Sequence, residues 1–239
     1  MWLYRPIPIL ISQYQADTFS PFLPQRASRI IIPLGLPDAV RGHAPRTSTP
    51  PRRAIFASNQ QRTLRRLVEI WASSILPRVP DAVLDVYGIN HVKPGEDILK
   101  SWEGHLLPAG LPDHIKRSVC VHPSASRLGL AEAMRESRVM LYLGHKAEAF
   151  CLALAEAQAL GVPAVIAPVA VLPERVIDGI TGFHRADSDR FAEAAVALLT
   201  DDALWRRQHQ AALSLQQGID WAEQAARLEQ ALLIDKLPP

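Results

Sequence analysis

The sequence predicts an α/β fold: a Rossmann-like, mostly parallel sheet flanked by helices. From Ala54 onward, short β-branched apolar runs alternate with longer stretches of helical periodicity, the pattern of βαβ units. Apolar residues make up 48% of the 239 residues and charged residues 21%, a composition that supports a buried core and argues against intrinsic disorder. The formal charge is +2, from 26 basic and 24 acidic residues, too balanced to mark a nucleic-acid binder.

The elements follow in order. Residues 1–53 read as a junction. Within it Ile7–Ser12 and Ile30–Leu36 are short β-branched runs bounded by Pro or Gly, read as buried strands, and a short helix fits between Gln13 and Gln25. Residues 38–53, rich in Pro, Ser, Thr and Arg, read as a linker. Residues 54–235 then form one domain. Ala54–Ser58 is a strand, and Leu64, Leu67, Val68, Trp71 and Ile75 lie at helical spacing until Pro77. Ala82–Gly88 is a strand, 89–116 is irregular, and Ser118–His122 is a short strand. A helix over 128–138 leads to a strand over 139–144, and a helix over 150–160 closes at Gly161 and Pro163. A strand over 164–169, a short helix over 172–178, and helices over 188–200, 201–216 and 219–235 complete the chain. Trp71 and Trp221 are expected in the core, Cys120 as a small core residue, and Gly35, Gly88 and Gly144 as turn glycines.

Several classes are disfavoured. Cys120 and Cys151 lie far apart without a CxxC spacing, against a disulfide framework or zinc site. The longest uncharged run, Ala157–Pro173, has 17 residues broken by Gly161 and three prolines, too short to span a membrane. The N-terminus reads as no signal peptide, so the expected location is the cytoplasm. Arg41, Arg46, Arg52, Arg53, Arg62, Arg65 and Arg66 form an acid-free basic stretch between Asp38 and Glu69. It reads as a solvated or phosphate-facing surface, or one drawn to anionic lipid at the inner face of the membrane.

The chemistry concentrates in 139–183. A strand leads through the loop His145–Ala149 into a helix starting near Phe150 or Cys151. A helix N-terminus there offers unpaired N–H groups and partial positive charge, a ready phosphate site. Glu148 falls just before the helix and Glu156 inside it, with seven residues between them. Facing one cleft, they can accept hydrogen bonds from sugar hydroxyls. Alternatively, Glu148 favours the helix dipole and Glu156 finds solvent or a polar partner within its apolar segment. His145 beside this loop reads equally as a phosphate contact or a surface residue, and Asp201-Asp202 as helix-capping acids.

Glu148-Ala-Phe-Cys-Leu-Ala-Leu-Ala-Glu156, followed by the small-residue turn Gly161-Val-Pro163, resembles the signature of the family 4 glycosyltransferases. So do Pro173-Glu174 and Asp178-Gly-Ile-Thr-Gly-Phe183 after it. The resemblance is to the C-terminal, donor-binding half of these retaining enzymes of GT-B fold. It extends to Ser58–Leu64, whose Arg62 matches a diphosphate-contacting base, and to Asp81–Gly88, whose Tyr87 and Gly88 would lie near the nucleotide. Two departures are Thr63 and Cys151, each where the family usually has glycine.

The resemblance implies a retaining transfer of a sugar from a nucleoside-diphosphate sugar. Glu148 would be the catalytic residue at the transferred sugar and Glu156 would hold the ribose. Arg62 and the amides of Phe150, Cys151 and Leu152 would stabilise the leaving diphosphate. No metal or other cofactor is expected. The family's N-terminal acceptor half has no counterpart here, so a partner chain or self-association through an apolar junction face is expected. An alternative is a non-catalytic nucleotide-sugar binding module or subunit that needs a partner acceptor domain. A GT-B-like sugar-nucleotide epimerase is a third.

Overall fold

The computed structural model describes residues 7–18, 29–58, 61–88, 112–123 and 125–234. The side chains of residues 61, 62 and 234 lie outside that description, as does most of the stretch read as irregular.

Six strands form one parallel sheet: β3 (Arg53–Ala57), β4 (Val83–Tyr87), β5 (Val119–Val121), β6 (Val139–Tyr142), β7 (Ala164–Ile166) and β8 (Gly182–His184). Their order is β5-β4-β3-β6-β7-β8. The chain builds outward from β3 to β5, then returns to the other side of β3 with β6. This is the doubly wound order in which ligands bind at the reversal, beyond the carboxyl ends of the two central strands.

The central strands are apolar on both faces, as a parallel sheet covered on both sides requires. Ile55, Phe56, Met140, Leu141 and Val165 are fully buried. Helix α2 (Gln61–Ile70) continues without a break into a wider turn over Trp71–Ile75, marked by the Leu76 N–H to Trp71 O bond at 2.8 Å. Its predicted stripe, Leu64, Leu67, Val68, Trp71 and Ile75, is buried throughout. The Trp71 indole N–H donates to Ser118 Oγ at 3.0 Å, joining this segment to helix α3 (Asp113–Ser118). Helices α4 (Arg127–Arg135), α5 (Leu152–Ala159), α6 (Leu172–Arg175), α7 (Ser188–Thr200), α8 (Asp202–Leu215) and α9 (Trp221–Ile234) complete the layers. No described helix is long and apolar enough to cross a membrane.

The ends of α5 show why its sequence starts and stops a helix. Cys151 precedes it in the left-handed region at φ 59°. At the other end Gly161, at φ 76°, lets Val162 N–H reach Ala157 O at 2.8 Å and its own N–H reach Gln158 O at 2.9 Å. Gln158, fully buried, donates from Nε2 to Val162 O and Thr181 O, locking that turn to the start of β8.

The N-terminal strands differ from expectation. β1 (Ile9–Leu10) and β2 (Ile30–Ile31) pair in parallel over two residues each, in a separate sheet, with α1 (Gln13–Thr18) following β1. Ile9 and Ile31 are 46% and 36% exposed, not buried. Two strands alone have no covering layer on each face, and Pro8 and Pro33 donate nothing to a longer ladder. Trp221 is also not core: it opens α9 with its side chain half exposed. Its backbone instead crosses Gly35, where a Cβ would approach Trp221 Cα to 2.7 Å. Gly35 is thus a close-approach glycine and not a turn glycine, whereas Gly88 and Gly144 have the positive φ of turns.

Residues 38–53 pack closely against the sheet and its helices. Arg138, buried between them, donates to Pro50 O and Leu199 O and pairs with Asp202 at 2.8 Å. Arg46 N–H donates to His209 Nε2 at 3.0 Å. The basic stretch is largely neutralised locally: Arg41 pairs with Asp38, Arg46 with Glu136, Arg52 with Asp81, Arg53 with Asp85, and Arg65 and Arg66 with Glu69. This arrangement reads as a solvated, ion-paired surface.

Candidate functional site

At the reversal of strand order, β3 ends at Ser58 and β6 ends at Tyr142. Tyr142 is buried, its ring stacked 5.9 Å from Phe56. Its hydroxyl lies 3.3 Å from Ser58 Oγ and donates to Glu148 Oε1 at 2.9 Å. Tyr142 therefore spans the switch point and fixes the carboxylate of the loop that leads into α5. Burial, first of all, pushes the Tyr142 phenol far above its ordinary range. The Cys151 thiol rises for the same main reason, with the Glu148 charge adding to it. Both groups stay protonated beside Glu148.

The loop closes with Glu148 N–H to His145 O at 3.0 Å, and the His145 ring accepts from Ala147 N–H, a local role in this exposed loop. The first bond of α5 runs from Ala155 N–H to Cys151 O at 3.1 Å. The amides of Phe150, Cys151 and Leu152 precede it, at the positive end of the helix dipole. Cys151 carries its Cβ in a left-handed conformation that glycine adopts without penalty.

Glu156 lies on the second turn of α5 and is 6% exposed. Its carboxylate accepts no hydrogen bond among the described residues. Burial raises its pKa, and Arg127 at the start of α4 opposes that shift. A carboxylate so placed is stabilised by any hydroxyl donor that reaches it.

Tyr87 and Gly88 end β4, beside β3 on the same edge. The Tyr87 ring stacks on His122 with centroids 4.4 Å apart. Gly88 has φ 94°, and a Cβ there would come to 3.0 Å from the Ser58 backbone, so the end of β4 closes on the end of β3 at a glycine. Arg62 lies in the first turn of α2, beyond the end of β3, with its side chain outside the described residues. The structure thus gathers Glu148, Phe150, Cys151, Leu152, Tyr87 and Gly88 on loops and helix starts at the carboxyl edge.

Tyr142 was not singled out from the sequence, where its only signal was a polar aromatic at the end of a strand. Glu174, read there only as part of the family resemblance, proves to hold α1. It accepts from Tyr14 N–H at 2.5 Å and Gln13 N–H at 3.2 Å, capping α1, and pairs with Arg175 at 3.2 Å. The Tyr14 hydroxyl in turn donates to Lys146 O at 2.9 Å, beside the site loop. Among the described residues no cluster of three or more His, Cys, Asp or Glu side chains is arranged to hold a metal ion.

Fold and site together define a Rossmann-like α/β domain with a binding edge at its topological switch point. The chain belongs to the family described as glycosyl transferases group 1, whose model matches residues 61–214, more than half its length. Over 116 residues it is 36% identical to a D-inositol 3-phosphate glycosyltransferase of Xylanimonas cellulosilytica, covering 48% of this chain and 28% of that enzyme. Anabaena HepE in complex with UDP and glucose superposes with a TM-score of 0.71 at 16% identity, covering 95% of this chain and 62% of HepE. Sucrose-phosphate synthase from Thermosynechococcus elongatus gives a TM-score of 0.68 at 18% identity, covering 94% and 57%. At such identities the likeness is one of fold, that of the GT-B glycosyltransferases. The chain spans about a quarter of the curated relative and less than two-thirds of either solved chain.

Proposed function

We propose that this chain binds the nucleoside-diphosphate-sugar donor of a retaining family 4 glycosyltransferase, in the role of the C-terminal half of a GT-B enzyme. One observation carries this reading. Glu148 and Glu156 bracket the N-terminus of α5 at the switch point, and Glu156 is buried with no hydrogen-bond partner among the described residues.

In this reading the diphosphate lies over the amides of Phe150, Cys151 and Leu152, with Arg62 beside it. Glu156 accepts from the ribose hydroxyls. Glu148, held by Tyr142, accepts from hydroxyls of the transferred sugar. Transfer breaks the bond from the anomeric carbon to the diphosphate oxygen and forms one to an acceptor hydroxyl, which loses its proton. The charge develops on diphosphate oxygens, where preorganised N–H groups stabilise it most. The test is calorimetric titration with UDP-, GDP- and ADP-sugars. One base is expected to bind with release of heat in the wild type and much more weakly in Glu156→Ala.

A second reading is a nucleotide-sugar-binding module that transfers nothing without a partner acceptor domain. The exposed apolar residues Ile9 and Ile31 on the short β1–β2 sheet favour it, because such a sheet is completed by further strands. Donor binding without donor hydrolysis by the chain alone supports this second reading. Hydrolysis supports the first.

A further inference from the structure

We propose that Tyr14 is a positioning residue for the loop His145–Ala149: from α1 it holds the peptide that leads to Glu148, so the junction segment sets the backbone of the loop. Its consequence for sugar binding rests on the donor reading above. The Tyr14 hydroxyl donates to Lys146 O at 2.9 Å, joining residues 132 apart in sequence.

The bond acts on one rigid unit. Lys146 O and Ala147 N–H belong to the same planar peptide. Ala147 N–H donates to His145 Nδ1 at 3.1 Å. The plane is thus held at one end by its own loop and at the other by α1. Glu148 follows directly, and its N–H closes the turn on His145 O at 3.0 Å. Tyr142 orients the Glu148 carboxylate from the sheet side, and Tyr14 orients the backbone that carries it from the junction side. His145, Lys146 and Ala147 are exposed, so hydrogen bonds and not packing decide where this stretch lies.

The second observation is how firmly α1 is set. Six residues form no stable helix on their own. Here Ser12 Oγ accepts from Gln15 N–H at 3.0 Å, and Gln15 Oε1 accepts from Ile11 N–H at 2.8 Å. Glu174 on α6 accepts from the amides of Gln13 and Tyr14. Arg29, just before β2, donates to Ala16 O at 2.8 Å. The Tyr14 ring is half-buried against the core. These ties hold α1 to both β2 and α6, so the hydroxyl reaches the loop from a fixed frame.

None of those ties uses the hydroxyl. Glu174 and the ring already join α1 to the domain, and what the oxygen adds is the position of Lys146 O. The amides of Phe150, Cys151 and Leu152 belong to the start of α5 and do not depend on it. Loss of the hydroxyl therefore acts on the sugar end of a donor, through Glu148, more than on its diphosphate.

Two measurements on the full chain and Tyr14→Phe test this. In amide hydrogen exchange followed by NMR, Ala147 and Glu148 are expected to exchange about threefold faster or more in the variant, while Gln15 and Ala16 of α1 stay within about twofold of the wild type. In calorimetry with the matched pairs UDP-glucose and UDP, GDP-mannose and GDP, and ADP-glucose and ADP, the sugar-bearing member of the pair that binds is expected to weaken by about threefold, its diphosphate by less than about twofold. Unchanged exchange at Ala147 and Glu148 would overturn the proposal. So would equal quickening of α1 and the loop, which marks a merely structural contact, and so would an equal loss, or no loss, for donor and diphosphate. If no nucleotide binds the wild type, the donor reading fails by itself, and the exchange data alone decide the role of Tyr14.

Discussion

The Tyr142 hydroxyl donates to Glu148 Oε1 at 2.9 Å, tying the end of a central strand to the loop that opens α5. Tyr142→Phe removes that bond and leaves the ring packed on Phe56. A hydrogen bond to a charged group contributes about 1.5–3 kcal/mol, part of which solvent recovers at this half-buried carboxylate. Affinity for the sugar-bearing donor is expected to fall roughly threefold to tenfold, equivalent to about 0.6–1.4 kcal/mol. Affinity for the nucleoside diphosphate alone is expected to stay within twofold. Calorimetry with both ligands on both proteins checks this.

Cys151 holds a left-handed backbone at φ 59°. A non-glycine residue there carries about 1–2 kcal/mol of strain. Cys151→Gly relieves it and forfeits a small buried side chain, so stability is expected to change by less than about 1 kcal/mol. Cys151→Val adds β-branching to the same conformation and is expected to destabilise by about 2 kcal/mol or more. Urea unfolding of the three proteins distinguishes them.

Glu174 caps α1 from another part of the chain, through the amides of Gln13 and Tyr14. Glu174→Ala leaves those amides and Arg175 without their acceptor. A loss of about 1–3 kcal/mol is expected. Hydrogen exchange is expected to quicken over Ser12–Asp17 while the amides of β3 and β6 stay protected. Unchanged exchange in α1 would show that the cap contributes nothing.

His209 is buried, stacked on Trp205, with Nδ1 2.6 Å from Gly161 O and Nε2 accepting from Arg46 N–H. That pattern requires the neutral ring, and burial lowers its pKa. The unfolded ring titrates at about 6.5. Its contribution to stability is therefore complete above that value and is lost as pH falls below it towards the lowered folded value. The slope from this one group is at most about 1.4 kcal/mol per pH unit. His209→Gln is expected to be less stable at pH 7.5, and to lose less than the wild type between pH 7.5 and 5.5, in chemical denaturation.

The six-stranded parallel sheet was legible because both periodicities are strong in the chain. The α2 stripe from Leu64 to Ile75 and the apolar runs at β3, β4 and β6 are each decided by burial on the sheet. The placement of Glu148 before the helix and Glu156 within it was legible from the helical pattern that Gly161 and Pro163 close, and their reading as a pair came from the family resemblance. The position of Tyr142 was not, because its role depends on Ser58 and Glu148 meeting across strands that pair only in three dimensions. Glu174 and Gln13 are far apart in sequence, so no local pattern signals that cap. Trp221 was misassigned because an apolar residue at a helix start resembles a core residue, whereas here it is the Trp221 backbone that packs, against Gly35, and the side chain stays half exposed.

The most direct test of the account is calorimetric titration of UDP, GDP and ADP into the wild type and Glu156→Ala. The account predicts that one diphosphate binds the wild type at micromolar concentration and that the variant, still folded, binds it at least tenfold more weakly. Equal affinity in the two proteins, or no binding of any nucleotide to the folded wild type, would contradict a donor site built on the paired glutamates.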